Sequence, residues 1–416
     1  MPAHLDTMGS VPDGFRSLVV YPAFALQATA QSISWQFITY FVNHELQVES
    51  FLMMAVIWSL PAFVTMVATS FWGIISDRTG ARKPFMVMGF LVYAETFLFY
   101  SMVSTGLQYF LIAMIGAAVA PAAIPAGQAY VTRGITQRGA RIGYLLVAQS
   151  VGWSVGALFS GLLYDLIGMF ALYRASAALS LLAAITVLTL AETRHVQPSI
   201  PRRHIGVPPI LHQRGIWTLL LAVGLSALGN NAVSFVLAII IVDELGGSTV
   251  YVGYANAAAT LLAATLAGFI GRLADRKGAA NVLVAAYASY SMYAIAFALA
   301  GDAMSATLLY ALPLYPMAST GAYALAATLS DDSKRGSAMG LVNGMMNAGA
   351  ALGPMMGGYL AETVFGRAQP ISWLNALCNA MALVLALLLV RSTRTVRVRL
   401  TAESDSGVET DRDIHQ

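Results

Sequence analysis

Four polar clusters interrupt an otherwise apolar chain. They are Gln27, Gln31 and Ser34; Gln128, close to Pro121 and Pro125; Asn230, Asn231 and Ser234; and Tyr315, Ser319 and Tyr323, with Pro316 among them. Amides, hydroxyls and phenols give and take hydrogen bonds without a formal charge. Such a set suits a neutral polar or amphiphilic molecule. Dicarboxylates and phosphate esters need Arg or Lys clamps, which these clusters lack. Tyr315, Ser319 and Tyr323 recur at i, i+4 and i+8, and Gln27, Gln31 and Ser34 also share one helical face. Any one Asn or Gln is explained by an interhelical hydrogen bond, so the signal lies in the four faces together. Glu95 is the one acid near the middle of an apolar run. Two readings stand for it: a protonatable carboxyl with a functional role, or a neutral Glu bonded to a neighbouring helix. No metal-ligand cluster, phosphate-cradling loop or nucleophile–base pair stands out, so neither a cofactor nor an enzymatic activity is expected.

The elements that must position these residues are membrane spans. The chain is 58% hydrophobic and 10% charged, with a mean hydropathy of +0.69, whereas soluble domains carry about 25% charged residues. The net charge of +3 and the lack of clustered bases on a soluble face argue against nucleic acid as a partner. The single Cys378 excludes an intrachain disulfide. Twelve apolar runs, each near the roughly 20 residues that a bilayer requires, are predicted at 17–42, 51–75, 85–104, 107–131, 143–165, 169–191, 215–242, 249–271, 281–301, 304–329, 338–361 and 370–391. Residues 192–214, with four prolines and several arginines, read as a linker between a half at 17–191 and a half at 215–391. Residues 1–16 and 392–416 read as polar tails. With both tails placed in the cytoplasm, Arg174 and Arg367 are the only two of the 23 bases that fall outside. Such a bias sets orientation and also checks the count of twelve. The charged residues near the outer ends, including Asp243, Glu244, Asp302 and Glu362, read as solvated, and His44 with Glu45 as a wetted loop.

The chain repeats itself. Gly73, Asp77, Arg78 and Gly80, followed by Arg82 and Lys83, return as Gly271, Asp275, Arg276 and Gly278 at an offset of 198. Gly152, Gly156 and Gly161 return as Gly349, Gly353 and Gly358 at an offset of 197, with Pro354 after the second. Small residues four apart let helices pack backbone to backbone, and a Pro permits a bend. The loops resemble those between the second and third helices of each half in the major facilitator superfamily. Gly349 to Gly358 resembles the Gly-x-x-x-Gly-Pro-x-x-Gly-Gly signature that the superfamily's antiporters carry in helix five, displaced here to helix eleven.

The resemblance implies an all-α membrane fold of twelve transmembrane helices in two six-helix, pseudo-symmetric bundles. Helices one, four, seven and ten would line a central cavity, and the four polar clusters would meet there as the substrate site. The two loops, with Gly353 and Pro354, would gate it, and Glu95 would couple it to protons. The expected function is proton-coupled efflux of neutral or amphiphilic compounds. Uptake of a sugar- or nucleoside-like nutrient is the alternative, and a non-transporting solute sensor is the reading of another class. The protein is expected to act as a monomer in the plasma membrane, with small-molecule substrate, protons and lipid as its partners.

Overall fold

The computed structural model describes residues 18–132, 138–192, 213, 215–330 and 335–391. Twelve helical segments follow one another. They are α1 (Val20–Trp35, resuming over Ile38–His44), α2 (Phe51–Thr79), α3 (Lys83–Tyr100), α4 (Gly106–Val131), α5 (138–167), α6 (169–188), α7 (Ile216–Ser234, continuing through Leu237–Ile239 and Ile240–Glu244), α8 (Thr249–Lys277), α9 (Ala279–Ala298), α10 (Ala303–Tyr310, resuming over Tyr315–Leu329), α11 (Arg335–Leu360, with the turn Ala361–Phe365) and α12 (Ile371–Arg391).

Among the described residues, seven stretches are long and apolar enough to cross a bilayer as continuous helices. One of them, Ala140–Leu188, has 49 residues, or roughly 74 Å at the helical rise, against about 30 Å of hydrocarbon. It is two spans that reverse at Gly168, whose φ of 75° suits glycine. The return is visible in the packing, since Leu145 and Val187 share a core with Val20 and Phe24. The other four spans fall short for visible reasons. Helices α1 and α10 are interrupted, α3 carries Lys83 and Glu95, and α11 is diluted by Gly and Asn. The break in α10, predicted as continuous, lies at 311–314 beside Pro313 and Pro316. Prolines withdraw backbone donors and push the preceding residue out of the helical region. Helices α1 and α7 break at matching places, after Trp35 and after Ser234.

The two halves meet at one end of the molecule. There Thr39 donates its hydroxyl to the Phe235 carbonyl, and Thr249 donates to the Gly161 carbonyl at 2.9 Å. Ser50 and the Leu52 N–H both donate to Glu362, at 2.7 and 2.9 Å. His44 pairs with Asp243 at 3.0 Å. Within its own half, Glu244 accepts from the Ala368 and Gln369 N–H groups. The reading of Asp243, Glu244, Glu362 and His44 as merely solvated is therefore corrected. Their partners come from distant sequence, which helix-end position alone does not reveal. Asp302 does act locally, accepting from the Ser305 N–H at 2.9 Å.

Towards the opposite end, a Cβ added at Gly143, Gly268, Gly271, Gly336, Gly340 or Gly344 would meet nothing within 4 Å among the described residues.

Candidate functional site

A cavity of about 260 Å³ lies in the C-terminal half between α7, α9, α10 and α11. Asn230 and Asn231 come from α7, Tyr287 and Tyr290 from α9, Tyr315 and Ser319 from α10, and Asn343 and Asn347 from α11. Among the described residues its lining holds no Asp, Glu, Lys, Arg or His. The break in α10 makes this geometry possible, because Tyr315 and Pro316 open a fresh helical segment at the wall. The volume is slightly below the ~300 Å³ at which drug-sized sites begin, so the cavity fits a small solute. Pro354, inside α11, has no N–H for the Ala350 carbonyl four residues back, and Ala350 lines the cavity.

Of the expected site residues, the structure gathers Asn230, Asn231, Tyr315 and Ser319 here. Tyr323 lies alongside, its hydroxyl 3.3 Å from Asn343 Oδ1. Ser234 bonds the Tyr310 hydroxyl at 3.1 Å, one turn further along α7. The face of α1 is not part of this cavity. Gln31 lies near Tyr93 and Ser34 near Tyr109, inside the N-terminal bundle. Gln27 is 4% exposed and neither of its amide atoms has a partner. Gln128 is exposed on α4. The four faces therefore do not converge in one lining. Asn343, Asn347, Tyr287 and Tyr290 were not among the expected residues, although Asn343 and Asn347 stand at i and i+4, because they lie on α9 and α11 and not on helices one, four, seven and ten.

The repeated loops differ. Arg82 holds Asp77 at 2.7 Å and Ser76 at 2.6 Å, while Glu192 accepts from the N–H groups of Arg82 and Lys83. Lys83 donates to the Leu188 and Leu190 carbonyls. Gly80 turns the chain at φ 66°, and a Cβ added at Gly73 would lie 3.5 Å from Pro125 Cβ. Arg78 is exposed. In the second copy Asp275 and Arg276 are exposed, and Gly278 turns at φ 87°.

The sequence profile of the Major Facilitator Superfamily matches residues 20–321 and 314–411. The chain belongs to this superfamily. A maltose permease from Geobacillus stearothermophilus is 26% identical over 359 residues, which is 82% of this chain and 86% of that one. The solved nucleoside transporter NupG superposes with a TM-score of 0.70 at 15% identity, over 90% of this chain and 98% of its own. A bacterial homologue of the human lysosomal transporter Spinster, inward-facing and unoccupied, gives 0.66 at 15% identity, over 92% and 96%. At such identities the two structures speak for the fold alone.

In this superfamily member Glu95 stands apart from the cavity. It is exposed on α3, in a groove of about 550 Å³ that Pro84, Val87, Met88, Leu91 and Val92 share with Leu188 and Glu192. The groove lies between α3 and the end of α6. None of the cavity's lining residues belongs to α3. The expected role of Glu95 in proton coupling thus loses its geometric support.

Proposed function

We propose that this protein is a secondary transporter of a small, uncharged, hydroxyl-bearing solute of the sugar or nucleoside kind. Its halves rock to expose the solute to either side of the plasma membrane in turn. The observation that carries this reading is the charge-free cavity of asparagines, tyrosines and Ser319. Amides read hydroxyls by paired donors and acceptors, and phenol faces stack on sugar or base rings. A maltose permease among the similar proteins is consistent with that solute class. The basic end faces the cytoplasm by the bias of Arg and Lys. In the outward-facing state the Asp77 and Asp275 loops close that end. Efflux of amphiphiles is the second reading, and the apolar groove along α3 favours it.

Thermal shift of the purified protein with uridine, maltose and dodecylamine separates the two, because a ligand that binds only the folded state raises its melting temperature. Uridine or maltose is expected to stabilise the wild type. Asn230→Ala is expected to weaken that binding by roughly tenfold or more, as loss of a buried hydrogen-bond partner does. Stabilisation by dodecylamine alone, unchanged in Asn230→Ala, would replace this reading with the second.

A further inference from the structure

From Ser226 at the cavity wall a chain of polar side chains runs back to Asn375 and Asn379 on α12, and solute contact alone does not explain it. Ser226 lies one turn before Asn230 on α7, and Asn375 and Asn379 lie one turn apart on α12. The three are 4%, 1% and 0% exposed. Gly229 makes room for the approach, since a Cβ there would lie 2.8 Å from Asn375 Oδ1.

The direction of each hydrogen bond can be worked out from one fixed point. A main-chain carbonyl only accepts, so the Asn379 atom 3.0 Å from the Asn375 carbonyl is its amide nitrogen. The same nitrogen donates to Asn375 Oδ1 at 2.6 Å. Asn379 Oδ1 therefore faces Ser226 and accepts its hydroxyl proton at 2.7 Å. That proton is the only one a serine hydroxyl has. Towards Asn230, Ser226 is left as an acceptor, and Asn230 Nδ2 lies 3.3 Å from it. The network thus fixes which way round the Asn230 amide sits, a choice that the shape of an amide does not make. Its Oδ1 remains shielded at the cavity wall without a protein donor. Asn231 reaches the same polarity locally, donating Nδ2 to the Ala227 carbonyl at 2.8 Å. Ser319 spends its proton on the Tyr315 carbonyl at 2.9 Å.

We propose that Asn375, Asn379 and Ser226 are positioning residues that set the hydrogen-bond polarity of this wall. At Asn230 they leave the carbonyl rather than the N–H group without a protein partner, and so select solutes that bring a hydroxyl or N–H donor to it. The inference rests on the reading of this cavity as the solute site. A solute lacking the donor leaves a buried carbonyl unpaired, which is how a polar site rejects an analogue.

The test measures affinities for whichever of uridine and maltose the wild type binds, alongside deoxy and O-methyl analogues of that molecule. The wild type is expected to lose about tenfold or more at one hydroxyl position, for the O-methyl analogue as for the deoxy one. Asn379→Leu removes the acceptor, so the Ser226 proton turns to Asn230 and its amide reverses. The parent-to-analogue ratio then falls to within about twofold. Ser226→Ala has the same effect on the ratio, and the double variant goes no further than either single one. Should Asn379→Leu fail to fold, the smaller Ser226→Ala decides. Wild-type ratios in a folded variant whose Asn230→Ala counterpart has lost binding would overturn the relay and leave the site standing. Unchanged binding in Asn230→Ala, or no binding of either probe to the wild type, would overturn the site and the relay together.

Discussion

On α5, Gly152 and Gly156 press the helix against α1, where added Cβ atoms would strike the carbonyl oxygens of Ala25 and Thr29. On α11, at an offset of 197, Gly349 and Gly353 press against α7, where they would strike Ala227 and the Leu228 carbonyl. The next members of the two motifs leave their own half. Gly161 meets Gly253 of α8, and Gly358 meets Phe51 of α2. The scaffold is therefore doubled in detail, with two glycines binding a half together and a third closing the halves on each other. The polar side chains are not doubled. In the N-terminal half Gln31 and Ser34 turn towards the tyrosines of their own bundle, whereas in the C-terminal half Asn230 and Asn231 line a cavity. Backbone packing survives duplication because it depends on small residues at fixed spacing. Recognition depends on single side chains, which diverge freely above such a frame.

The largest expected effect tests the division of labour among the glycines. Gly161→Val places methyl groups where Gly253 Cα lies 2.6 Å from the added Cβ. Overpacking costs about 1–3 kcal/mol, here charged to one conformational state, so the population of the closed end falls roughly ten- to hundredfold. Spin-label distances across that end should lengthen and transport should fall, with the melting temperature little changed. Gly152→Val is expected to do the reverse, lowering the melting temperature because its clash lies within a half. Identical behaviour of the two variants would break the comparison.

A smaller effect concerns Glu362, which bonds the other half. The Leu52 N–H and the Ser50 hydroxyl hold its carboxyl below the ordinary carboxylate range. The closed end thus binds a proton less readily than an open one, and acid favours opening. The stabilisation is present above the usual carboxylate pKa and is lost as pH falls through the lowered value. Distances across this end, followed from about pH 7 to about pH 4, should lengthen more in the wild type than in Glu362→Gln. The His44–Asp243 pair is common to both proteins and cancels in the comparison. Equal responses would remove Glu362 from the closure.

The fold was legible because it rests on signals that survive averaging: apolar runs of bilayer length, basic loops on one side and glycines at equal offset. Both glycine motifs do in the structure what their spacing implied. The site was legible only where a polar residue and its helix agreed, as at Asn230, Asn231, Tyr315 and Ser319. It failed for Ser34 because a polar face on α1 does not tell which neighbour it turns to, and Tyr109 was invisible at that distance in sequence. Asn375 and Asn379 were hidden for the opposite reason. They stand on a helix expected to lie outside the cavity, and act through Ser226 rather than by lining it. The closed end was missed because Glu362 and Asp243 find their partners across the halves, and neither sequence neighbourhood announces the other.

Gln27 gives the smallest and most discriminating test of the asymmetry. Its amide is buried with neither atom bonded, and a buried unpaired polar group costs about 1–3 kcal/mol in proteins. If the N-terminal amides are structural, Gln27→Met keeps the length of the side chain and removes that cost. The melting temperature should then rise by roughly a degree or two, and solute affinity should stay within about twofold of the wild type. Asn230→Ala in the same assay should lose affinity at least fivefold more than Gln27→Met does. A loss of affinity in Gln27→Met equal to that in Asn230→Ala would show that the solute reaches both halves. The site would then be as doubled as the scaffold, and the division between shared frame and private site would fall with it.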